Sequence, residues 1–381
     1  MSGRIVFANQ LRGVAAAAVA ASHLGGVYWL IRPAVTAATF TPPLQGPNPP
    51  FTAFFLLPWF NLGPLGVGLF FLISGLVIPI SLQKHSPGNF LLARLLRIYP
   101  TYAAALLIEV TVLYANARYW GRPFGHGAWT VLSNCLLIQD LVGQPSIDLV
   151  NWTLCVELRF YLVMALVAGA VRRGSVAVLL AVGLAALGVN LAVVRLGVLG
   201  PPAPDPLLPS YTVSVESLFI VFMLIGVLFN YHLRGRLGTT ALIAWVGVFG
   251  ALFVVCWRTS AIAAQYPWVT KNYGYALALF GLLYALRRWV PDSRALDALA
   301  AISFPFYLVH SLIGYSVLKL LMLSWGWSYP ASLAVSIAGV ALLATGLHAA
   351  VETPTMRVGQ ALTPRTLRPR PEPAPVGVIE S

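Results

Sequence analysis

The sequence predicts an all-α integral membrane protein that crosses the bilayer many times. Hydrophobic residues make up 59% of the chain and charged residues 9%, and the mean hydropathy is +0.80. Soluble domains carry roughly 25% charged residues. Continuous apolar runs of about 20 residues, long enough to span a bilayer as a helix, recur along the whole chain. Because these runs do not alternate between apolar and polar residues, they argue against a β-barrel.

About ten transmembrane helices are predicted, with both termini on the cytoplasmic side. Their approximate limits are 11–31, 61–82, 98–117, 152–171, 175–195, 211–230, 239–257, 272–290, 300–323 and 330–351. Segment 129–139 is apolar but short, so we interpret it as re-entrant or interfacial. With this layout most of the 24 lysines and arginines lie in cytoplasmic loops, as the positive-inside rule requires.

The chain is predicted to hold one transmembrane domain, residues 1–356, and a disordered, basic cytoplasmic tail rich in Pro and Arg, residues 357–381. The net charge of +13 comes from basic residues in short loops, where they act as orientation signals, so membrane lipid and not nucleic acid is the expected partner. Cys135, Cys155 and Cys256 are widely separated, and we expect neither a disulfide nor a metal site.

The first apolar run contains an arginine and a histidine, Arg12 and His23. Eleven residues of α-helix advance about 1100° and rise about 16 Å, so both side chains lie on one face at different depths. An ionisable side chain inside a membrane span is costly and indicates a functional site by default. The alternative is an arginine that reaches the membrane surface and a histidine that is packed and hydrogen-bonded.

A second basic pair, Arg94 and Arg97, precedes the third predicted span in NFLLARLLRIYP. Their spacing places both guanidinium groups on one face of a short amphipathic helix, which we expect Pro100 to end. Guanidinium groups match phosphate oxygens, so the pair could hold a phosphorylated ligand. Contact with anionic lipid head groups is the alternative.

A carboxylate, Glu157, lies in the outer half of the fourth predicted span, in NWTLCVELRFYL. It needs a partner there, and the candidates are His23, at a similar depth, and Arg159. Glu157 and Arg159 are two residues apart on a helix, so they should not pair with each other. A carboxylate on a histidine would fix its tautomer and raise its basicity, as a general base requires. A structural ion pair between spans is the alternative.

Further polar residues within predicted spans are interpreted mostly as packing partners: Glu109, His310, Lys319, His348 and Glu352. Pro305 is expected to kink the helix near His310. The run NLGPLGVGLFFLISGLVIP contains four glycines that permit close helix contact: Gly63, Gly66, Gly68 and Gly75.

Six short motifs, in this order, resemble the acyltransferase-3 family, the membrane-bound acyltransferases of bacterial glycan O-acylation and their relatives. LRGVAAAAVAASH resembles the arginine, ten residues and histidine of the family's first span, and GVGLFFLISGLVI resembles GVxLFFxLSG. FLLARLLRIYPTY resembles RxxR followed by I-x-P-x-Y, and NWTLCVELRFYLV resembles WSLSVExxFYL. ISFPFYLVHSLI and HAAVETPTMR resemble the late YLxH and the terminal E-x-P. The resemblance covers nearly the whole chain.

The resemblance implies a multi-pass O-acyltransferase of the bacterial inner (cytoplasmic) membrane. Acyl-CoA, with acetyl-CoA as the default, is the implied donor substrate, and no permanently bound cofactor is implied. The implied acceptor is a hydroxyl of a glycan, such as an exopolysaccharide or its lipid-linked precursor. By matching position, His23 and Arg12 are the essential first-span pair, Arg94 and Arg97 contact the CoA phosphates, and Glu157 is the family's carboxylate.

The expected mechanism places the thioester at His23, which acts as general base on the acceptor hydroxyl or takes the acyl group itself first. Glu157 then orients His23 or positions the acceptor. Gly68 stands where many family members carry Asp, so any role of that carboxylate is missing or moved. The alternatives are an acyltransferase acting on a small molecule such as a macrolide, a glycan or lipid transporter, which would consume no acyl-CoA, and a structural subunit.

Overall fold

A computed structural model describes residues 5–199, 207–267 and 269–363, and within these residues every regular element is a helix. The predicted all-α class is therefore confirmed. The helices are α1 (Val6–Leu30), α2 (Arg32–Thr39), α3 (Leu62–Leu82), α4 (Pro87–Tyr119), α5 (Ala128–Cys135), α6 (Trp152–Leu166), α7 (Ala168–Arg173), α8 (Val176–Leu196), α9 (Pro209–Leu233), α10 (Thr239–Thr259), α11 (Thr270–Ala285), α12 (Arg294–Ala301), α13 (Ser303–Val309), α14 (Leu312–Ser324) and α15 (Tyr329–Leu362).

Seven helices of the described residues are long and apolar enough to cross a membrane: α1, α3, α4, α8, α9, α10 and α15. An eighth span results if α13 and α14, which meet at an angle of 53°, are counted as one. The predicted spans at 152–171 and 272–290 are helical, but α6 and α11 have only 15 and 16 residues. The chain is thus a polytopic helical protein, and the total of ten spans stays a prediction. Segment 129–139 contains part of α5, which has eight residues, too few to span.

Pro100 does not end a helix, contrary to the expectation from the sequence. It lies inside α4, which is continuous over 33 residues. Arg94 and Arg97 therefore belong to the same helix as the third predicted span. A proline removes one N–H donor, and membrane helices tolerate this because neighbouring groups satisfy the carbonyl that is released.

The C-terminal helix continues past the predicted start of the tail. α15 contains one π-turn, His348–Glu352, in which the His348 Nδ1 and Glu352 Oε2 atoms lie 2.7 Å apart. It then runs to Leu362, beyond residue 357, where the disordered tail is predicted to begin. The rest of that predicted tail, residues 364–381, lies outside the described residues.

The chain divides into two compact units. Among the described residues, the first unit holds 5–70, 96–155, 266–267 and 269–358, and the second unit holds 71–95, 156–199, 207–265 and 359–363. In the first unit α1 packs against α12 and α13, and α15 packs against α13 and α14. In the second unit α9 packs against α8 and α10 and is buried along most of its length.

Glycines bring helices together within both units, as the glycine-rich run in α3 predicts. A Cβ atom on Gly66 would lie 2.7 Å from the carbonyl oxygen of Ala15 in α1. In the second unit Gly75 meets Gly226 of α9, whose added Cβ would lie 2.8 Å from the Gly75 Cα. Real Cβ contacts do not come this close, so only glycine permits these helix pairs to approach as they do.

Candidate active site

The first-span histidine lies in a π-turn of α1. Regular α-helix extends over Val6–Ala21. Over Ser22–Val27, which contains His23, the backbone hydrogen bonds join residues five apart, as in a π-helix. Single π-turns inside α-helices occur frequently at functional sites. His23 is partly exposed, although its neighbours Ser22 and Leu24 are both buried. His23 is therefore less buried than the residues on either side of it.

A phenylalanine packs against this π-turn. The Phe55 ring lies over Gly25 and Gly26, where added Cβ atoms would come within 2.7 Å and 2.9 Å of ring atoms. Phe55 belongs to a short 3₁₀ helix, Pro50–Leu56, in the connection between α2 and α3. The two glycines thus let an aromatic side chain approach the backbone next to His23.

Two buried side chains contact the His23 ring. The Tyr315 hydroxyl lies 3.0 Å from His23 Nδ1, and the two rings are stacked with centroids 6.3 Å apart. The His310 ring meets the His23 ring edge to face, with centroids 5.1 Å apart. His310 and Tyr315 are both fully buried. The first unit therefore builds a cluster of two imidazoles and one phenol.

The position of His310 follows from a break in the chain's helical path. His310 and Ser311 are the two residues between α13 and α14. The chain bends by 53° at this point, five residues after Pro305 and so beyond the turn that a proline disturbs. His310 Nδ1 lies 2.8 Å from the carbonyl oxygen of Tyr307, whereas its Nε2 is buried with no hydrogen-bond partner among the described residues.

Two buried carboxyl groups lie next to this break. Ser311 donates a 2.9 Å hydrogen bond to Asp148 Oδ1, and Asp148 interacts electrostatically with both Tyr315 and Glu109. Asp148 lies in the segment before α6, outside the candidate spans. Burial raises the pKa of Asp148 to about 7, although the Ser311 hydrogen bond acts in the opposite direction. Near neutral pH this carboxyl group therefore binds a proton that an exposed aspartate would lose.

Replacing Asp148 with asparagine is expected to flatten the dependence of stability on pH. Because the folded-state pKa lies above the unfolded value of 3.8, the wild-type protein loses stability as the pH rises from about 4 to about 7. Asparagine cannot ionise, and its Oδ1 still accepts from Ser311. The melting temperature in detergent at pH 5 and pH 8 should therefore differ by several degrees less in Asp148→Asn. An equal difference in both proteins would contradict the raised pKa.

The predicted carboxylate, Glu157, lies in the second unit and binds two hydroxyl groups. Ser74 Oγ donates to Glu157 Oε1 at 3.0 Å and the Tyr161 hydroxyl at 2.5 Å. The sequence suggested His23 or Arg159 as partner. Tyr161 is one helical turn after Glu157 and therefore shares its face. Arg159 instead makes an ion pair with Glu216 at 2.7 Å, on a different face of α6, as the two-residue spacing predicts.

The two arginines of the RxxR motif have different surroundings. Arg94, in the second unit, is buried, and its guanidinium carbon lies 5.6 Å from the centroids of both the Phe90 and the Tyr161 rings. Tyr161 thereby contacts both Arg94 and Glu157. Arg97, in the first unit, is half-buried and makes no hydrogen bond or ion pair within the described part of the chain. Arg12 is half-buried in α1.

Lys319, another of the intramembrane polar residues, contacts the segment that follows α2. Lys319 is buried and donates to the Pro42 carbonyl at 2.9 Å, and its ammonium nitrogen lies 5.9 Å from the centroid of the Tyr28 ring.

Over residues 5–199, 207–267 and 269–363 the structure has no group of three or more metal-ligating side chains. The cysteines are free thiols: Cys135, Cys155 and Cys256.

Sequence reasoning did not select Tyr315 or Asp148 for the site. Tyr315 is separated from His23 by 292 positions, and Asp148 from Ser311 by 163. No local pattern connects residues at such separations. Tyr161, by contrast, could have been found from its i+4 spacing to Glu157.

Comparison with known proteins decides the family. A family model described as an acyltransferase domain matches residues 5–346. The chain belongs to the acyltransferase-3 family. The family and the enzyme class predicted from the motifs are thereby confirmed, and the protein is a membrane-bound O-acyltransferase.

Two curated relatives cover most of this acyltransferase. Nodulation protein 10 of Rhizobium leguminosarum bv. viciae is 25% identical in an alignment of 328 positions that covers 79% of this chain and 84% of that protein. Acyltransferase MdmB of Streptomyces mycarofaciens is 27% identical in an alignment of 345 positions that covers 82% of this chain and 85% of that protein. No solved structure matches the chain.

Proposed function

We propose that this acyltransferase moves an acyl group, acetyl in the first instance, from cytoplasmic acyl-CoA to a hydroxyl of a glycan. The acceptor is an exopolysaccharide or its lipid-linked precursor, and the enzyme works in the bacterial inner membrane. The observation that carries the proposal is the His23 imidazole in the π-turn of α1, in contact with Tyr315 and His310. Imidazoles are the side chains best suited to move protons near neutral pH.

The reaction sets clear demands on such a site. A C–O bond to the acceptor forms, the thioester C–S bond breaks, and one proton passes from the hydroxyl to the sulfur of CoA. General acid–base groups within hydrogen-bond reach of the reacting atoms make this proton transfer fast. We assign the reacting atoms to the side of His23 and His310, about 16 Å along α1 from Arg12 by helix rise.

The CoA moiety carries phosphates, which we assign to Arg94 and Arg97 of α4. Arg97 has its guanidinium group available for such a ligand, since no described residue pairs with it. The buried Arg94 is held against two aromatic rings, which fixes its side chain on the helix. The pantetheine arm of CoA then extends along α1 towards His23. It passes Arg12, which is half-buried on the same face of this helix.

Membrane vesicles provide the direct test. Inverted inner-membrane vesicles from cells with and without the protein are supplied with [¹⁴C]acetyl-CoA, and alkali-labile label is measured in the polysaccharide and lipid fractions. We expect label that depends on the protein, with one free thiol released for each acetyl group transferred. Label in a small-molecule fraction alone would replace the glycan by a soluble acceptor. Glycan movement without thiol release would identify a transporter and contradict acyl transfer.

Replacing Arg97 with alanine is expected to weaken use of the donor. Hydrogen bonds to charged groups contribute about 1.5–3 kcal/mol, so KM for acetyl-CoA should rise by about 10- to 100-fold with a smaller change in kcat. Arg97→Lys keeps the charge and should recover part of the affinity. The control is Arg195→Ala, an exposed arginine at the end of α8, whose kinetics should match wild type. An unchanged dependence on acetyl-CoA concentration would place the phosphates elsewhere.

A further inference from the structure

We propose, on the basis of the acyl transfer proposed above, that His310 is the base that takes the proton of the reacting hydroxyl. His23 acts beside it as a hydrogen-bond donor to the thioester carbonyl oxygen. The two imidazoles, 5.1 Å apart between ring centroids, thus hold opposite tautomers and divide the chemistry between them.

The tautomer of His310 follows from its hydrogen bond to the backbone of Tyr307. Nδ1 lies 2.8 Å from the Tyr307 carbonyl oxygen, which can only accept a hydrogen bond, so Nδ1 carries the proton. In the neutral ring Nε2 then presents a lone pair. This arrangement orients a histidine for base catalysis, since the backbone holds one nitrogen while the other receives the substrate's proton.

The lone pair of His310 Nε2 is an unsatisfied buried acceptor. His310 is fully buried, and no described residue donates to Nε2. A buried polar atom without a partner costs about 1–3 kcal/mol, and native structures rarely keep one without a purpose. A hydroxyl bound next to His23 supplies the missing donor, and that hydroxyl is then in place to lose its proton.

The tautomer of His23 follows from Tyr315. The Tyr315 hydroxyl is fully buried, and His23 Nδ1 is its one hydrogen-bond partner among the described residues. If His23 Nδ1 donated instead, the phenol proton would have no acceptor, which is the more costly arrangement. Tyr315 therefore donates to Nδ1, and the neutral His23 ring carries its proton on Nε2.

A neutral imidazole N–H is a poor acid but a good electrostatic stabiliser. Placed at the thioester carbonyl, it stabilises the negative charge that develops on the oxygen in the transition state.

The proposed step balances without any further reactant. The hydroxyl gives its proton to His310 Nε2 while its oxygen forms a bond to the thioester carbon, and the developing oxyanion binds His23 Nε2–H. As the carbonyl re-forms, the C–S bond breaks and the electron pair leaves with sulfur. The thiolate then takes the proton from the His310 imidazolium, which restores both histidines. The products are the ester and free CoA.

Glutamine variants distinguish the two roles. A glutamine amide can donate a hydrogen bond at the position of Nε2 but cannot take a proton at neutral pH. In the vesicle assay with [¹⁴C]acetyl-CoA, we expect the kcat of His23→Gln to be at least about 10 times that of His23→Ala, because the glutamine amide still donates a hydrogen bond to the oxyanion. His310→Gln should be as inactive as His310→Ala, about 100- to 10,000-fold below wild type.

Three outcomes overturn the assignment. Near-wild-type kcat in His310→Gln would reduce His310 to a packing residue. An inactive His23→Gln together with an active His310→Gln would exchange the two roles, and equal inactivity of His23→Gln and His23→Ala would remove the donor role of His23. Melting temperatures of the purified variants in detergent identify any loss that comes from misfolding. Failure of the proposed function looks different, because wild-type vesicles would then carry no label above vesicles that lack the protein.

Discussion

Replacing His23 with alanine is expected to lower acyl transfer by about 100- to 1,000-fold in membranes that contain normal amounts of the protein. The imidazole lies in the π-turn of α1, next to His310 and Tyr315. Alanine is compatible with helical backbone and removes the only ring in this turn that can exchange hydrogen bonds with a substrate. We therefore expect the rate to fall while the helix remains.

The measurement is the transfer of label from [¹⁴C]acetyl-CoA in inverted vesicles, normalised to the amount of inserted protein. His232→Ala is the matched control, because this histidine lies at the end of α9 in the second unit and contacts Thr239. It should keep wild-type activity. Full activity of His23→Ala in correctly inserted protein would exclude a catalytic role for the first-span histidine.

Replacing Gly226 with valine is expected to prevent normal assembly of the second unit. An added Cβ would overlap the Leu72 carbonyl oxygen and lie 2.8 Å from the Gly75 Cα and 2.9 Å from the Leu76 nitrogen. These are backbone atoms, which cannot rotate away as a side chain does, so α3 and α9 must separate. Asn230 also donates to the Leu76 carbonyl at 2.7 Å, and separation would break this bond.

Overpacking of a core typically lowers the free energy of unfolding by about 1–3 kcal/mol. We expect a loss at or above the upper end of this range where the overlap is between two backbones. We expect a large drop in the melting temperature or in the amount of protein that accumulates in membranes. Gly188→Val in α8 is the control, because no atom lies within 4 Å of a Cβ added there. Comparable melting temperatures for Gly226→Val and Gly188→Val would show that the close contact of Gly75 with Gly226 is not required.

Much of the local structure follows from apolar periodicity and length. All ten predicted spans coincide with helices, since a run of apolar residues without water must satisfy its backbone hydrogen bonds internally. The expectation that Pro100 ends a helix was wrong, because a proline that favours a helix end in water is tolerated inside a membrane helix such as α4.

The site was predicted in part. Helical spacing placed Arg12 and His23 on one face, and the motif order identified the family, which the family model confirms. Helical spacing also separated Glu157 from Arg159. The sequence did not decide the partner of Glu157, because spacing along one helix does not identify a group on another helix.

The sequence by itself determined that this protein is an all-helical membrane protein and which ionisable groups enter its helices, because hydrophobicity and helical period are properties of neighbouring residues. Only the tertiary structure decided which groups meet. The break between α13 and α14 places His310 and Tyr315 beside His23, nearly 300 positions away in the chain. Such contacts depend on how helices pack, and packing is set by the shapes of surfaces that come together only in the folded protein.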